Sequence, residues 1–361
     1  MIPDCTLTTA CFDLSKFNSK SRPFSEAIHN MRSLLETPCY LVIYTDVHLF
    51  EQIKQIRSNC GLEHVTKYIV QRVEDLECFQ YVDIVKKNRQ LYHPTKDERT
   101  CPESHLVCCS KFELVLNTIK SNPFNTTKFG WIDANVGVNF SKICTNYKNN
   151  MLLHVLNKCS SDKFHLQILN VNDKKFTKEE HLREYYSSYR WVVCGCLFIT
   201  GIDVGILILE ELKKIFVKHT LLGYGHAEEM FYIEILDKYY DIIQRSYGDY
   251  NHILNNFINI TTGLHYIKYI ANSYMTIGYH KECVDCCSKV IQEFESYHME
   301  IHYPFYFDFL FMNYVSLFYH DINKAKTFVK HILKLIEENP FVKNEYIKNK
   351  DFYDSQFKFA L

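Results

Sequence analysis

Between residues 5 and 250, short apolar runs alternate with amphipathic helical periods, and past Thr262 the apolar runs stop. This rhythm constrains the fold more than any other feature. Strands separated by helix-length segments pair in parallel and need helices on both faces of the sheet. The runs span residues 7–12, 40–44, 65–70, 129–132, 164–171, 191–200 and 242–245. Between the first two, Phe24, Ala27, Ile28, Met31, Leu34 and Leu35 keep the i, i+3, i+4, i+7 spacing of a helix with one buried face. Similar periods predict helices over 49–56, 76–85, 106–119, 204–217 and 227–239, with Asp203 as the N-cap of the fourth. The reading is an α/β domain over residues 1–260, with a mostly parallel sheet flanked by helices.

Residues 261–361 read as an all-α domain of helical hairpins. Ser273-Tyr274 followed by Gly278-Tyr279-His280 recurs 40 residues later as Asn313-Tyr314 followed by Phe318-Tyr319-His320. Each copy leads into a second helix, over 283–294 and 325–336. Ala271, Tyr274, Gly278 and Tyr279 resemble the small, aromatic and glycine positions of a tetratricopeptide repeat, although the period exceeds the usual ~34 residues. A plain helical appendage is the alternative. In either case these helices are the expected surface for a protein partner or for homo-oligomerisation.

Composition narrows the function. The 41 Lys+Arg against 42 Asp+Glu give a net charge of -1, which removes the strongly basic surface a nucleic-acid binder needs. The longest apolar run, over 191–202, is closed by Arg190 and Asp203 and falls short of the ~18 residues that span a bilayer; it reads as a buried strand. Pro3 and Asp4 begin a segment unlike a signal peptide. The expectation is a cytoplasmic protein whose 15 Cys are reduced thiols. Cys283, Cys286 and Cys287 lie on one helical face and read as core, as do the pairs Cys108-Cys109 and Cys194/Cys196. Gly223-Tyr224-Gly225 lacks the third glycine of a dinucleotide fingerprint. Eight of the 11 Gly, and both Trp, fall between residues 130 and 248. Glycine is needed where backbone must come close to a ligand or to other backbone, so this window is where a site is sought.

Within it, Phe129-Gly130-Trp131-Ile132-Asp133-Ala134-Asn135-Val136-Gly137 carries an apolar strand directly into Asp133. Open α/β sheets bind ligands at the carboxyl ends of their strands. Two oxygen ligands one residue apart, Asp133 and Asn135, suit one face of Mg²⁺ or Mn²⁺, leaving positions open for a diphosphate. A strand-end turn would produce the same pattern.

The stretch from Lys111 through Asn122-Pro123-Phe124 to Trp131-Ile132-Asp133 resembles the core of the WlaTC/HtrL-like glycosyltransferases. In register with that family are Cys194-Gly195-Cys196-Leu197-Phe198-Ile199-Thr200-Gly201, then Gly225-His226-Ala227-Glu228-Glu229, then Tyr247-Gly248-Asp249-Tyr250. The resemblance covers roughly residues 5–257. It implies a GT-A-like fold and transfer of a sugar from a nucleotide donor, UDP-linked for preference, to a hydroxyl of a glycan, protein or lipid with divalent-metal assistance. Thr9 and Asp13 would face the nucleobase and ribose, with Asp46 in a similar position. Lys111 would meet the diphosphate, Trp131 and Asp133 the donor, and the Gly195–Gly201 segment the donor sugar. Asp133, Asn135 and His252 would hold the metal, and Glu228 or Glu229 would deprotonate the acceptor. Asn135 replaces the second Asp of the usual D-x-D. That replacement favours the rival reading, a non-catalytic interaction or scaffold protein built on a decayed glycosyltransferase domain.

Overall fold

The computed structural model describes residues 2–91, 97–136, 149–224, 228–258, 263–297 and 303–359. Chain contacts divide it into two compact units, residues 1–246 with 250–258, and residues 247–249 with 259–361.

The larger unit is built on a seven-stranded sheet: β1 Cys5–Cys11, β2 Tyr40–Thr45, β3 Thr66–Val70, β4 Lys128–Ile132, β5 Phe164–Ile168, β6 Leu197–Gly201 and β7 Ile243–Tyr247, in the order β3-β2-β1-β4-β6-β5-β7. β3, β2, β1 and β4 run parallel, whereas β6 is antiparallel to both β4 and β5. The helices are α1 Phe24–Leu35, α2 Val47–Asn59, α3 Val82–Leu91, α4 Pro102–Ser121, α5 Asn149–Lys158, α6 Leu182–Tyr186, α7 Ile202–Leu221, α8 Ile233–Lys238 and α9 Ile253–Ile258.

The expected mostly parallel, helix-covered sheet is what forms, and β1 shows why. Cys5, Leu7 and Cys11 join a core cluster with Met31, Leu34, Leu49 and Ile53 of α1 and α2. The alternate residues Thr6 and Thr8 are equally buried, and Thr8 Oγ1 donates to Thr118 Oγ1 of α4 at 2.9 Å. Both faces are covered, one through apolar side chains and the other through threonines whose hydroxyls bond to Thr126 and Thr118. Arg57 of α2 is fully buried and ties the α1–β2 connection: Nη1 donates to Leu35 O (3.0 Å) and Thr37 O (2.8 Å), and Nη2 to Cys39 O (3.0 Å).

Several boundaries differ from expectation. The 191–200 run becomes strand only from Leu197, and Trp191 stands 55% exposed. The 76–85 segment forms a 3₁₀ turn, Glu77–Tyr81, before α3 begins. Glu228 opens a 3₁₀ turn rather than a long helix, and the helix that follows, α8, is six residues long. Gly201, not Asp203, caps α7, leaving Asp203 inside its first turn, where an acid still complements the dipole.

Glycine is required on β4. A Cβ at Gly130 would lie 2.4 Å from Phe198 O on β6, backbone that can retreat only by opening the β4–β6 ladder. Gly130→Ala should therefore lower stability by at least about 2 kcal/mol in urea unfolding; an unchanged midpoint would contradict the close approach.

The smaller unit is all-helical after its first residues: α10 Leu264–Thr276, α11 His280–Tyr297, α12 Tyr303–His320, α13 Ile322–Glu338, α14 Pro340–Ile347 and α15 Lys350–Phe357. Cys283, Cys286 and Cys287 are fully buried there, with Cys283 Sγ donating to Ala271 O at 3.3 Å, consistent with their reading as core. Cys194, Cys196 and Cys109 are buried too, but Cys108 is exposed. Among the described residues, no helix is long and apolar enough to cross a membrane.

Candidate active site

Parallel β1, β2 and β4 end at one edge of the sheet. Because β6 runs the other way, its preceding segment Cys194-Gly195-Cys196 arrives at that same edge, and Asp133 N donates to Cys196 O at 2.9 Å. Trp131 and Asp133 stand on one strand end, two residues apart, and the indole Nε1 donates to Asp133 Oδ1 at 2.5 Å.

The centre of the site is Lys111, from the middle of α4, with its side chain only 2% exposed. Its ammonium donates to Glu228 Oε1 in a very short contact, to Gly195 O at 2.9 Å and to Asp133 Oδ1 at 3.5 Å, and lies 5.4 Å from the Trp131 ring centroid. Burial works against the Lys111 ammonium, but the Asp133 and Glu228 carboxylates outweigh it and hold its pKa well above the ordinary lysine value. Glycine at 195 is what allows this packing: a Cβ there would meet Glu228 Oε1 at 2.6 Å and Glu229 Cγ at 3.1 Å. Beside it, Glu229 Oε2 accepts a hydrogen bond from Tyr189 Oη at 3.0 Å. Burial first, and then the neighbouring Glu228 charge, push the Glu229 carboxyl up to about 8. Near neutral pH this places a protonated Glu229 beside the salt bridge of Lys111 and Glu228.

Lys111, Trp131, Asp133, Gly195, Glu228 and Glu229 are thus brought together. Others are not. Thr9 is completely buried on β1, and its hydroxyl finds no partner among the described residues. Asp46 caps α2, accepting from His48 N (3.0 Å) and Leu49 N (3.1 Å) through Oδ1, while Oδ2 accepts from Asp13 N at 2.6 Å. Both its oxygens serve the fold. Asp13 in turn accepts from Ser15 N at 2.9 Å. Gly201 does not join the site: it pairs with Lys128 at the start of β4, so the antiparallel register carries it to the opposite edge, where a Cβ would lie 2.0 Å from Ser161 O. His252 is half-buried at the end of a 3₁₀ turn, Tyr250–His252. Lys111 itself is buried, and its ammonium is taken up by two acids. Gly137, Gly225, His226 and Ala227 lie outside the described residues.

A divalent cation fits the residues present in one respect. The Asp133 side chain is 34% exposed; Oδ1 is anchored by Lys111 and Trp131, and among the described residues nothing donates to Oδ2. Asn135 Oδ1 accepts from Asn30 Nδ2 at a long 3.3 Å. Among the described residues, no group of three or more His, Cys, Asp or Glu side chains has metal-binding spacing.

Tyr189 was missed by the sequence reading. Its signal was its place in Tyr189-Arg190-Trp191, ahead of the Cys194–Gly201 block, but nothing in the spacing ties a tyrosine to an acid 40 residues later.

The fold and site together define an open α/β protein with a lysine–carboxylate centre at the carboxyl edge of its sheet. Residues 3–201 match the family described as "Bacterial protein of unknown function (HtrL_YibB)". The chain belongs to the HtrL_YibB family. No curated protein matches its sequence. Among solved structures it is similar to mouse xyloside xylosyltransferase 1 in its apo form, at 10% identity and a TM-score of 0.35, covering 66% of this chain and 84% of that one. A likeness of that size carries no argument about activity.

Proposed function

We propose that the chain is a glycosyltransferase that moves a sugar from a nucleotide-sugar donor to a hydroxyl acceptor. The observation that carries this reading is the pairing, at the ligand-binding edge of an α/β sheet, of a half-anchored carboxylate with a poised acid. Asp133 has one oxygen fixed by Trp131 and Lys111 and one with no donor among the described residues, and Glu229 titrates within reach of neutral pH. The resemblance of the Lys111-to-Asp133 segment to WlaTC/HtrL-like glycosyltransferases supports it.

In this reading Asp133 addresses the donor diphosphate. Lys111 holds Asp133 and Glu228 in place, so their geometry is fixed before substrate arrives. The acceptor oxygen attacks the anomeric carbon, its proton passes to Glu229, and the bond from that carbon to the diphosphate oxygen breaks. Asp133 Oδ2 and Asn135 Oδ1 are the oxygens that would hold a divalent cation, which when bound neutralises charge on a departing diphosphate.

Glu229 acts as base only after losing its proton, so transfer should rise with pH up to about 8 and then level. The same shift runs the other way for stability. The folded state holds a proton that the unfolded chain releases near the ordinary glutamate value, so this contribution falls as pH rises towards 8. Glu229→Gln should remove both slopes. A rate profile unchanged in that variant would remove Glu229 as the base.

The direct test is calorimetry with UDP and UDP-sugars, with and without Mn²⁺; absence of binding at millimolar nucleotide would end the donor assignment. Asn135→Asp refines it. An added carboxylate should lower the Mn²⁺ midpoint of UDP binding, because charge strengthens the grip on a hard cation. Identical midpoints would leave Asp133 as the sole ligand from this motif.

A further inference from the structure

Of the two tryptophans, Trp131 is buried in the site and Trp191 is 55% exposed, although the backbone around it is firmly held. Val193 bridges to Ile168, Leu169 N donates to Val192 O at 3.0 Å, and Asn170 Nδ2 donates to Trp191 O at 2.7 Å. On the other side, the Arg190 guanidinium lies 4.5 Å from the Phe176 ring centroid, and its Nε donates to Tyr185 O at 3.2 Å. The neighbours on both sides are therefore anchored inward while the indole is left in water.

Its ring contact with Tyr189 is informative. Trp191 meets Tyr189 edge-on, with centroids 4.8 Å apart and planes at 81°, and the Tyr189 hydroxyl is the group that donates to Glu229. A single phenol ring thus links the exposed indole to the proposed base. An isolated exposed aromatic needs no explanation, but one whose ring neighbour is hydrogen-bonded to the proposed base offers an apolar surface one phenol ring removed from that carboxylate. A pyranose fits that surface. Its C–H surface packs on an indole while its hydroxyls stay at the wet rim, the division between apolar body and polar edge that tyrosine and tryptophan accommodate.

We infer that Trp191 and Tyr189 form the acceptor subsite, and that the acceptor is a carbohydrate whose pyranose ring stacks on Trp191 with a hydroxyl directed to Glu229. This deepens the proposed function and rests on it for the identity of the reaction. The test uses the full chain with a panel of α- and β-linked glucose and N-acetylglucosamine hexasaccharides, read by tryptophan fluorescence, with UDP calorimetry in parallel. A binding saccharide should shift the emission of the wild type and not that of Trp191→Phe, and Trp191→Ala should weaken its binding at least about tenfold. Because the indole is exposed, both variants should keep the wild-type unfolding midpoint. Nucleotide binding with no saccharide response up to about 10 mM would overturn the subsite and leave the donor reading standing. So would a response that persists without Trp191. A Trp191-dependent response in a chain that binds no nucleotide would uphold the sugar subsite and overturn the transferase.

Discussion

Lys111→Met should lower the stability of the larger unit by about 3–5 kcal/mol at neutral pH, the usual consequence of removing one partner from a buried ion pair. The methionine replaces the lysine stem at similar volume, so the loss measures charge rather than packing. Glu228 is 3% exposed and would be left without its cation. The orphaned acid has one escape, which is to take up a proton, so the deficit in urea unfolding should shrink steadily as pH is lowered. Adding Glu228→Gln should recover most of the loss, because a neutral amide tolerates the same position without a counter-charge. The double-mutant cycle then gives the coupling between the two groups directly. A Lys111→Met protein within about 1 kcal/mol of the wild type would show that the ammonium is not what neutralises this cluster.

That Lys111 sits at the centre was only half legible in the sequence. Its place in the Lys111-to-Asp133 segment marked it, but a lysine on a helix reads as a solvated residue or as one reaching for phosphate. Nothing local says that Gly195 and Glu228 come from 84 and 117 residues away to enclose it. Strands β2 and β4 were legible because burial on both faces makes their apolar runs nearly continuous, and Asp133 because it follows one of them. β6 was less so. The apolar run continued back to Trp191, and composition could not separate the five residues that pair with β4 from the pinned connection before them. The same long-range geometry decides Gly201. Its spacing from Gly195 suggested one shared pocket, yet an antiparallel strand carries its two ends to opposite edges, about 3.3 Å further for every residue. Asp46 shows the reverse case. Acids at strand ends read as ligand groups, and Asp46 is instead a helix cap, a use to which aspartate is equally suited.

Asp133 is the residue on which the catalytic reading stands, and two replacements divide its roles. Asp133→Ala should leave transfer reduced by at least about a hundredfold, near 3 kcal/mol of transition-state stabilisation, as is typical when a principal electrostatic group is removed. It also strips the acceptor from the Trp131 indole, which is 3% exposed, so a stability loss of about 1 kcal/mol should accompany it. Asp133→Asn keeps an oxygen in front of that indole while discarding the charge. If the carboxylate serves the donor, the asparagine variant should recover the indole's acceptor, losing only what the long 3.5 Å Lys111 contact contributed while Glu228 still pairs the ammonium, and still transfer as poorly as the alanine variant. Should asparagine restore transfer along with the fold, the charge has no part in the reaction, and Asp133 is a structural acceptor for Trp131 and Lys111. Steady-state rates and urea midpoints on the same three proteins separate these outcomes. Only a carboxylate facing a ligand predicts stability and activity moving apart.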